Sequence, residues 1–236
     1  MTPSQTKPTI DAMQLHQLFS VPILEFVHPE ADSLCPALRD FFLAREDDDH
    51  RDDIARDTQF GGVYESRFDL FYWKDPEIQP MIQFVHGSLA RAVAQLNGYG
   101  QQEMDQLRFE YHAWYHITRA GGFQGNHNHP NASWSGIFCI DPGQPKSDPR
   151  EGTVRFYDPK VNADYYLDPG NQNLKMPFRL GPMEIRHEAG KLWLFPSYLM
   201  HEVFPYQGER PRCIVAFNCW ISADRERGYA PLSRRG

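Results

Sequence analysis

Cysteine is scarce in this chain. The four present (Cys35, Cys139, Cys213, Cys219) form no C-x-x-C pair, so the sequence offers no dithiol motif and no disulfide framework. Cys139, Cys213 and Cys219 sit in apolar, strand-like runs, where buried reduced thiols are expected. Long hydrophobic runs are also missing. No stretch approaches the length of a transmembrane helix, and residues 1–7 have no apolar run behind them, so neither a membrane span nor a signal peptide is read. A cytoplasmic protein is the expectation. Positive charge is in deficit: 24 Lys and Arg face 31 Asp and Glu, a net charge of −7, and arginines cluster only over 225–235. A phosphate-binding surface needs the opposite balance, so no nucleic-acid partner is expected. Internal repeats and low-complexity segments are absent as well.

What remains is a globular composition. Hydrophobic residues make up 41% and aromatics 14%, enough for a core. The 19 prolines and 17 glycines favour turns and short strands over a helical bundle. Residues 1–14 read as a polar, disordered tail, and 15–236 as a single domain with a helical and aromatic cover (15–105) over a β-core (106–222). In the cover, 21–26 looks like a strand start with Pro22 at an edge. Leu34, Leu38, Phe41 and Phe42 mark a helix over 31–46, and the acidic run 46–49 after it reads as a solvated loop. The aromatic stretch 57–73 reads as a segment that covers something. A second helix spans 78–96 and stops at Asn97-Gly98; His86 on it is expected to be structural. The core reads as short strands at 107–118, 135–140, 153–157, within 178–187, 190–195, 201–205 and 213–221. This pattern argues for a β-sandwich or barrel.

Two histidines focus the search for function. In an extended chain residues i and i+2 point the same way, so His127 and His129 can reach one point, and Pro130 keeps His129 extended. Two imidazoles on one point suit iron, copper, nickel or zinc. His201 is the candidate third ligand, because a double-stranded β-helix brings such distant segments onto one inner face. Arg212 opens the last strand. A buried guanidinium near a metal is costly without an anion, and a dicarboxylic cosubstrate would supply one. Asn218 and Ala216 share the face of Arg212 by period two.

The run His127-Asn128-His129-Pro130, the S-x-S-G of Ser133 to Gly136, the segment 190–205 (G-x-L-x-x-F-P-S-x-x-x-H-x-V-x-P) and Arg212 to Asn218 resemble the 2-oxoglutarate/Fe(II) oxygenases, a branch of the jelly-roll dioxygenases. Leu18 to Pro22, Gly61-Gly62 and Ser66 also look like that branch, so the resemblance covers roughly 17–221. It implies a mainly β, cupin-like jelly roll with flanking N-terminal helices. It implies Fe(II) held by His127, His129 and His201, 2-oxoglutarate anchored by Arg212, and O₂ as oxidant. Asn218, Tyr115 and Ser135 are the further candidate cosubstrate contacts. The implied reaction is oxidation of a C–H bond in a small molecule or an amino-acid or peptide substrate. A homodimer is left open.

Two positions depart from the wider class. It places a carboxylate where this chain has His129, so three neutral imidazoles leave the metal more positive. Many members carry Ser or Thr where this chain has Ile214. Asp158 and Glu202 are the carboxylates that could replace a histidine. His112 and His116 read as polar residues on a half-exposed strand, with a supporting role at the site as the second reading. His187 and Glu188 are expected to face solvent. Loops 46–73, 141–152 and 158–177 are expected to form the mouth. Two other functions remain: a three-histidine dioxygenase that dispenses with 2-oxoglutarate, and a non-catalytic metal-binding jelly roll.

Overall fold

The structure, a computed structural model, describes residues 14–223 except Ala55 and Val161. The polar tail expected over 1–14 lies outside the described residues but for Gln14, as does the arginine cluster at 225–235. The strands are β1 (Leu24–Val27), β2 (Gln59–Phe60), β3 (Val63–Glu65), β4 (Leu107–Thr118), β5 (Phe123–His127), β6 (Trp134–Asp141), β7 (Val154–Phe156), β8 (Met183–Ile185), β9 (Lys191–Pro196), β10 (His201–Val203) and β11 (Arg212–Ala223). The helices are α1 (Ala31–Leu43), α2 (Gln79–Asn97) and α3 (Gln101–Met104), with one 3₁₀ turn at Leu70–Tyr72. The strands form two antiparallel sheets. One has six strands in the order β1-β9-β6-β11-β4-β3, the other five in the order β2-β5-β10-β7-β8. The mainly β jelly roll expected from the sequence is therefore present.

Side-chain alternation builds two cores from one sheet. On β11, Cys213, Val215, Phe217 and Cys219 face α1 and α2 and pack with Leu38, Phe42, Met81, Val85 and Leu89. Ile214 and Ala216 face the other way and join Val154, Phe156 and Ile185 of the second sheet. β4 and β6 divide in the same manner: Ala113, Tyr115, Ile117, Phe138 and Ile140 lie on the helix side. Trp114, Ile137 and Cys139 lie between the sheets. All four cysteines are buried free thiols, as the apolar settings of Cys139, Cys213 and Cys219 suggested for those three.

Local differences from the sequence reading have simple causes. The first helix ends at Leu43, ahead of the acidic run, rather than at 46. The second stops where Gly98 takes a left-handed φ of 69°. The stretch 57–73 contributes β2, β3 and the 3₁₀ turn, so it is a sheet edge as well as a cover. Of the segment 178–187 only three residues pair, against β7.

Gly136 shows how tightly the helix side of β6 is filled. It pairs with Phe217 on one side and Leu194 on the other. A Cβ there would lie 2.4 Å from the Phe217 ring and 2.8 Å from Leu194 Cδ2. Gly136→Ala is expected to destabilise the fold by about 1–3 kcal/mol through overpacking, read as a lowered thermal midpoint.

Candidate metal centre and anion pocket

The metal-ligand candidates are set by backbone pairing. His127 closes β5, His201 opens β10, and the two are direct cross-strand partners. His129 lies two residues past β5, where its N–H donates to the Ser197 carbonyl at 2.8 Å. Ring centroids are 4.3 Å apart for His127–His201, 5.1 Å for His127–His129 and 5.4 Å for His129–His201. One ligand atom from each lies within 4.8 Å of the others, and no carboxylate of the described residues joins this group. His127 Nδ1 lies 2.7 Å from the Gly125 carbonyl and His201 Nδ1 2.9 Å from the Leu199 carbonyl. A carbonyl only accepts, so each Nδ1 carries the proton and each Nε2 keeps a lone pair free for a metal.

The three rings share a cavity of about 340 Å³ with Arg212, Trp114 and Phe68. Arg212 is 3% exposed, its Nε has no hydrogen-bond partner, and it forms no ion pair among the described residues. Burial pulls its ionisation below the ordinary guanidinium value. An uncompensated cation facing a cavity is a receptor for an anion. Three convergent neutral imidazoles and a free guanidinium in one cavity are the donor set that Fe(II) and a dicarboxylate require, so these residues fit both.

Between them, Ser135 Oγ donates to Asn218 Oδ1 at 2.7 Å and lies 2.8 Å from Ser197 Oγ. Both Ser135 and Asn218 line the cavity as expected from their position on the inner face. Tyr115 does not. It alternates onto the helix side of β4, where it packs on Phe42 and its hydroxyl meets Tyr64. Its reading as a cosubstrate contact is corrected by that alternation.

Other expectations also change. His116 is buried rather than half-exposed, and its Nε2 lies 2.6 Å from Glu65 Oε2. Burial pushes the Glu65 carboxyl up, but His116 and then Arg56 outweigh it and hold it below its usual range. His112 is exposed. His187, expected at the surface, is 4% exposed, while Glu188 is exposed as read. Glu202 is turned to Tyr157 Oη and Arg155, and Asp158 to its own loop, so neither joins the histidines. Of the expected mouth loops only 46–73 lines the cavity, through Arg56, Thr58, Glu65 and Phe68. Loop 158–177 borders a separate hollow with Val21 and Leu199, because β7 leads it past the opposite edge. Arg56, Glu65, Phe68 and Gln124 were not singled out in the sequence; the aromatic stretch 57–73 contains Glu65 and Phe68, and only the wider loop 46–73 takes in Arg56.

Burial holds His127 and His201 below the ordinary imidazole value and lowers His129 to about 4, with the neighbouring imidazoles adding to it. The unfolded chain therefore takes up these protons at higher pH than the folded one. The metal-free protein is expected to keep full stability above about pH 7 and to lose it as the pH falls below ~6.5. For His129 the loss is on the order of 3 kcal/mol by about pH 4, read from thermal midpoints across that range.

Residues 112–218 match a family model described as "Putative 2OG-Fe(II) oxygenase", where 2OG is 2-oxoglutarate. No curated protein matches the chain. Among solved structures, a prolyl-4-hydroxylase from Pseudomonas putida aligns at 17% identity over 84% of this chain and 91% of that one, with a TM-score of 0.53. A prolyl hydroxylase from Trichoplax adhaerens, in complex with a hypoxia inducible factor peptide fragment, aligns at 12% identity over 89% and 87%, TM-score 0.55. HygX from Streptomyces hygroscopicus, solved with nickel, 2-oxoglutarate and hygromycin B, aligns at 13% identity over 85% and 83%, TM-score 0.51. These likenesses show the fold, and the family match makes residues 112–218, the greater part of the β-core, similar to the 2-oxoglutarate- and Fe(II)-dependent oxygenases.

Proposed function

We propose that His127, His129 and His201 hold the iron and that Arg212 binds the outer carboxylate of 2-oxoglutarate. The observation that carries this reading is Arg212: a buried cation without an ion-pair partner among the described residues, in the same cavity as three convergent imidazoles. Iron bound there, with O₂ and 2-oxoglutarate, would supply oxidation of a C–H bond coupled to decarboxylation of the cosubstrate to succinate. The chain's own residues do the rest. The carbonyls of Gly125 and Leu199 fix the tautomers of His127 and His201, so both present a lone pair without a proton to displace. Ser135, Asn218 and Ser197 form a hydrogen-bonded chain on the inner face. It holds Asn218 Oδ1, so that the amide N–H of Asn218 would be the part offered to a cosubstrate. The Phe68 and Trp114 rings, stacked with centroids 4.4 Å apart, wall the cavity and exclude water beside the histidines.

The substrate in this proposal is a small molecule or an amino-acid or peptide side chain, seated between that aromatic wall and the polar group Arg56, Glu65 and His116. The cavity is of small-ligand size. The net charge of −7 speaks against nucleic acid as substrate, and no helix among the described residues is long and apolar enough to cross a membrane. A cytoplasmic setting belongs to the same proposal, supported by four free thiols. So does a homodimer, supported by exposed Tyr165, Tyr166, Leu167 and Met176. Residues 15–223 act as one domain, since α1 and α2 share a core with β4, β6, β9 and β11.

Anaerobic calorimetric titration of the Fe(II)-loaded protein with 2-oxoglutarate tests the reading. Binding is expected for the wild type, and Arg212→Leu should weaken it on the order of a hundredfold, with O₂-dependent succinate release falling in step. An absence of heat with wild-type protein would transfer Arg212 to a carboxylate of the substrate, in a dioxygenase that needs no 2-oxoglutarate. His201→Ala should lose iron; iron retention by that variant would remove the ligand assignment.

A further inference from the structure

Nearly all buried polar side chains of the described residues have hydrogen-bond partners. The unpartnered buried atoms are Gln124 Nε2, Trp193 Nε1, Arg212 Nε and both ring nitrogens of His187. An imidazole buried with neither nitrogen paired forfeits both of its bonds to water, so a ligand is the natural account of it. Its place is fixed by the strand before it. β8 turns Ile185 into the space between the sheets, and His187 lies two residues on, also buried. Ile185 pairs with Val154 where β8 ends and β7 begins, and His187 and Gly152 each lie two residues beyond that pair, outside the ladder. Gly152 in turn lies against Arg212: a Cβ on it would be 2.9 Å from Arg212 Cδ and 3.2 Å from Nε. Three features thus lie together where Arg212 closes the cavity: its guanidinium in the lining, and behind it, outside the lining, an unpaired imidazole and a residue without a side chain. The Arg212 cation adds to burial in keeping His187 neutral. A neutral imidazole offers one N–H, and Ile214, next on the inner face of β11, offers none.

We propose that His187 is a second binding residue for the anion held by Arg212, its ring N–H donating to the outer carboxylate of 2-oxoglutarate. A carboxylate has more acceptor sites than one guanidinium fills, and charge-assisted bonds of this kind are the strong ones. The inference rests on the assignment of Arg212 to the cosubstrate. It adds a residue from the β8–β9 connection, where the sequence placed a solvent-facing loop.

The test compares two ligands on the full-length, anaerobic, Fe(II)-loaded protein: 2-oxoglutarate, and 2-oxopentanoate, which has the same keto-acid end and no outer carboxylate. H187L should weaken 2-oxoglutarate about tenfold or more and leave 2-oxopentanoate unchanged, while H187Q regains most of the loss. Iron content should stay at the wild-type level in both. Equal 2-oxoglutarate affinity in H187L and wild type overturns the inference, as does equal weakening of both ligands, which marks a purely structural role. If H187L does not fold, H187F takes its place under the same outcomes. Failure of the wild type to bind 2-oxoglutarate at all is the distinct result that overturns the cosubstrate assignment, and this inference with it.

Discussion

One register governs the molecule. β11 pairs with β4 from Arg212 opposite Thr118 to Ala223 opposite Leu107, without a break. Alternation then assigns every residue of both strands to a side. A slip of one residue would bury Arg212 and Asn218 under the helices and turn Cys213, Val215 and Phe217 into the cavity. The helix-side core prevents it, since Phe217 fills the gap above Gly136 and Val215 and Cys213 pack beneath α1 and α2. The hydrophobic effect on one face of the sheet thereby holds the polar groups of the other face in place.

The inner face carries an electrostatic bias. Its buried groups are neutral imidazoles, hydroxyls and amides, together with one cation, Arg212. The buried carboxylate nearby, Glu65, is already matched by His116 and Arg56. Unmatched positive charge is thus confined to the deep end of the cavity. Metal-capable lone pairs lie on the rung where β5 meets β10. A dianionic ligand with a chelating end and a carboxylate end finds its two requirements in that order. The spacing between them comes from strand geometry rather than from flexible side chains.

Much of this was legible in the sequence, and the legible part is the periodic part. His127 and His129 by period two, Arg212 with Asn218 on one face, and the clusters of strands with Gly and Pro turns all depend on local rules. Tyr115 shows the limit of the same rule: alternation put it opposite Trp114, and that placement alone excludes it from the cavity. What could not be read depends on pairing between distant segments. Glu65 meets His116 only because β3 adds to the edge of β4. His187 is buried in the β8–β9 connection, and its Arg–His–Glu–Ala–Gly context gives no hint of that. Gln124 reaches the cavity because the β5–β10 register shifts between His201 and Val203. Short strands with irregular register leave no periodic trace.

The thiols bear on how such a protein ages. An iron site that handles O₂ releases oxidants when turnover miscarries, and thiolates are their first targets. Burial pushes the Cys35 thiol up to about 11 and Cys219 up to about 12, and raises Cys139 and Cys213 further. At neutral pH these sulfurs stay protonated, and all four are shut away from solvent. Stray oxidant would therefore spend itself on the rings beside the histidines, Trp114 and Phe68, before it reached the sulfur. Wear on this protein would begin at the aromatic wall of the cavity rather than at its buried sulfurs.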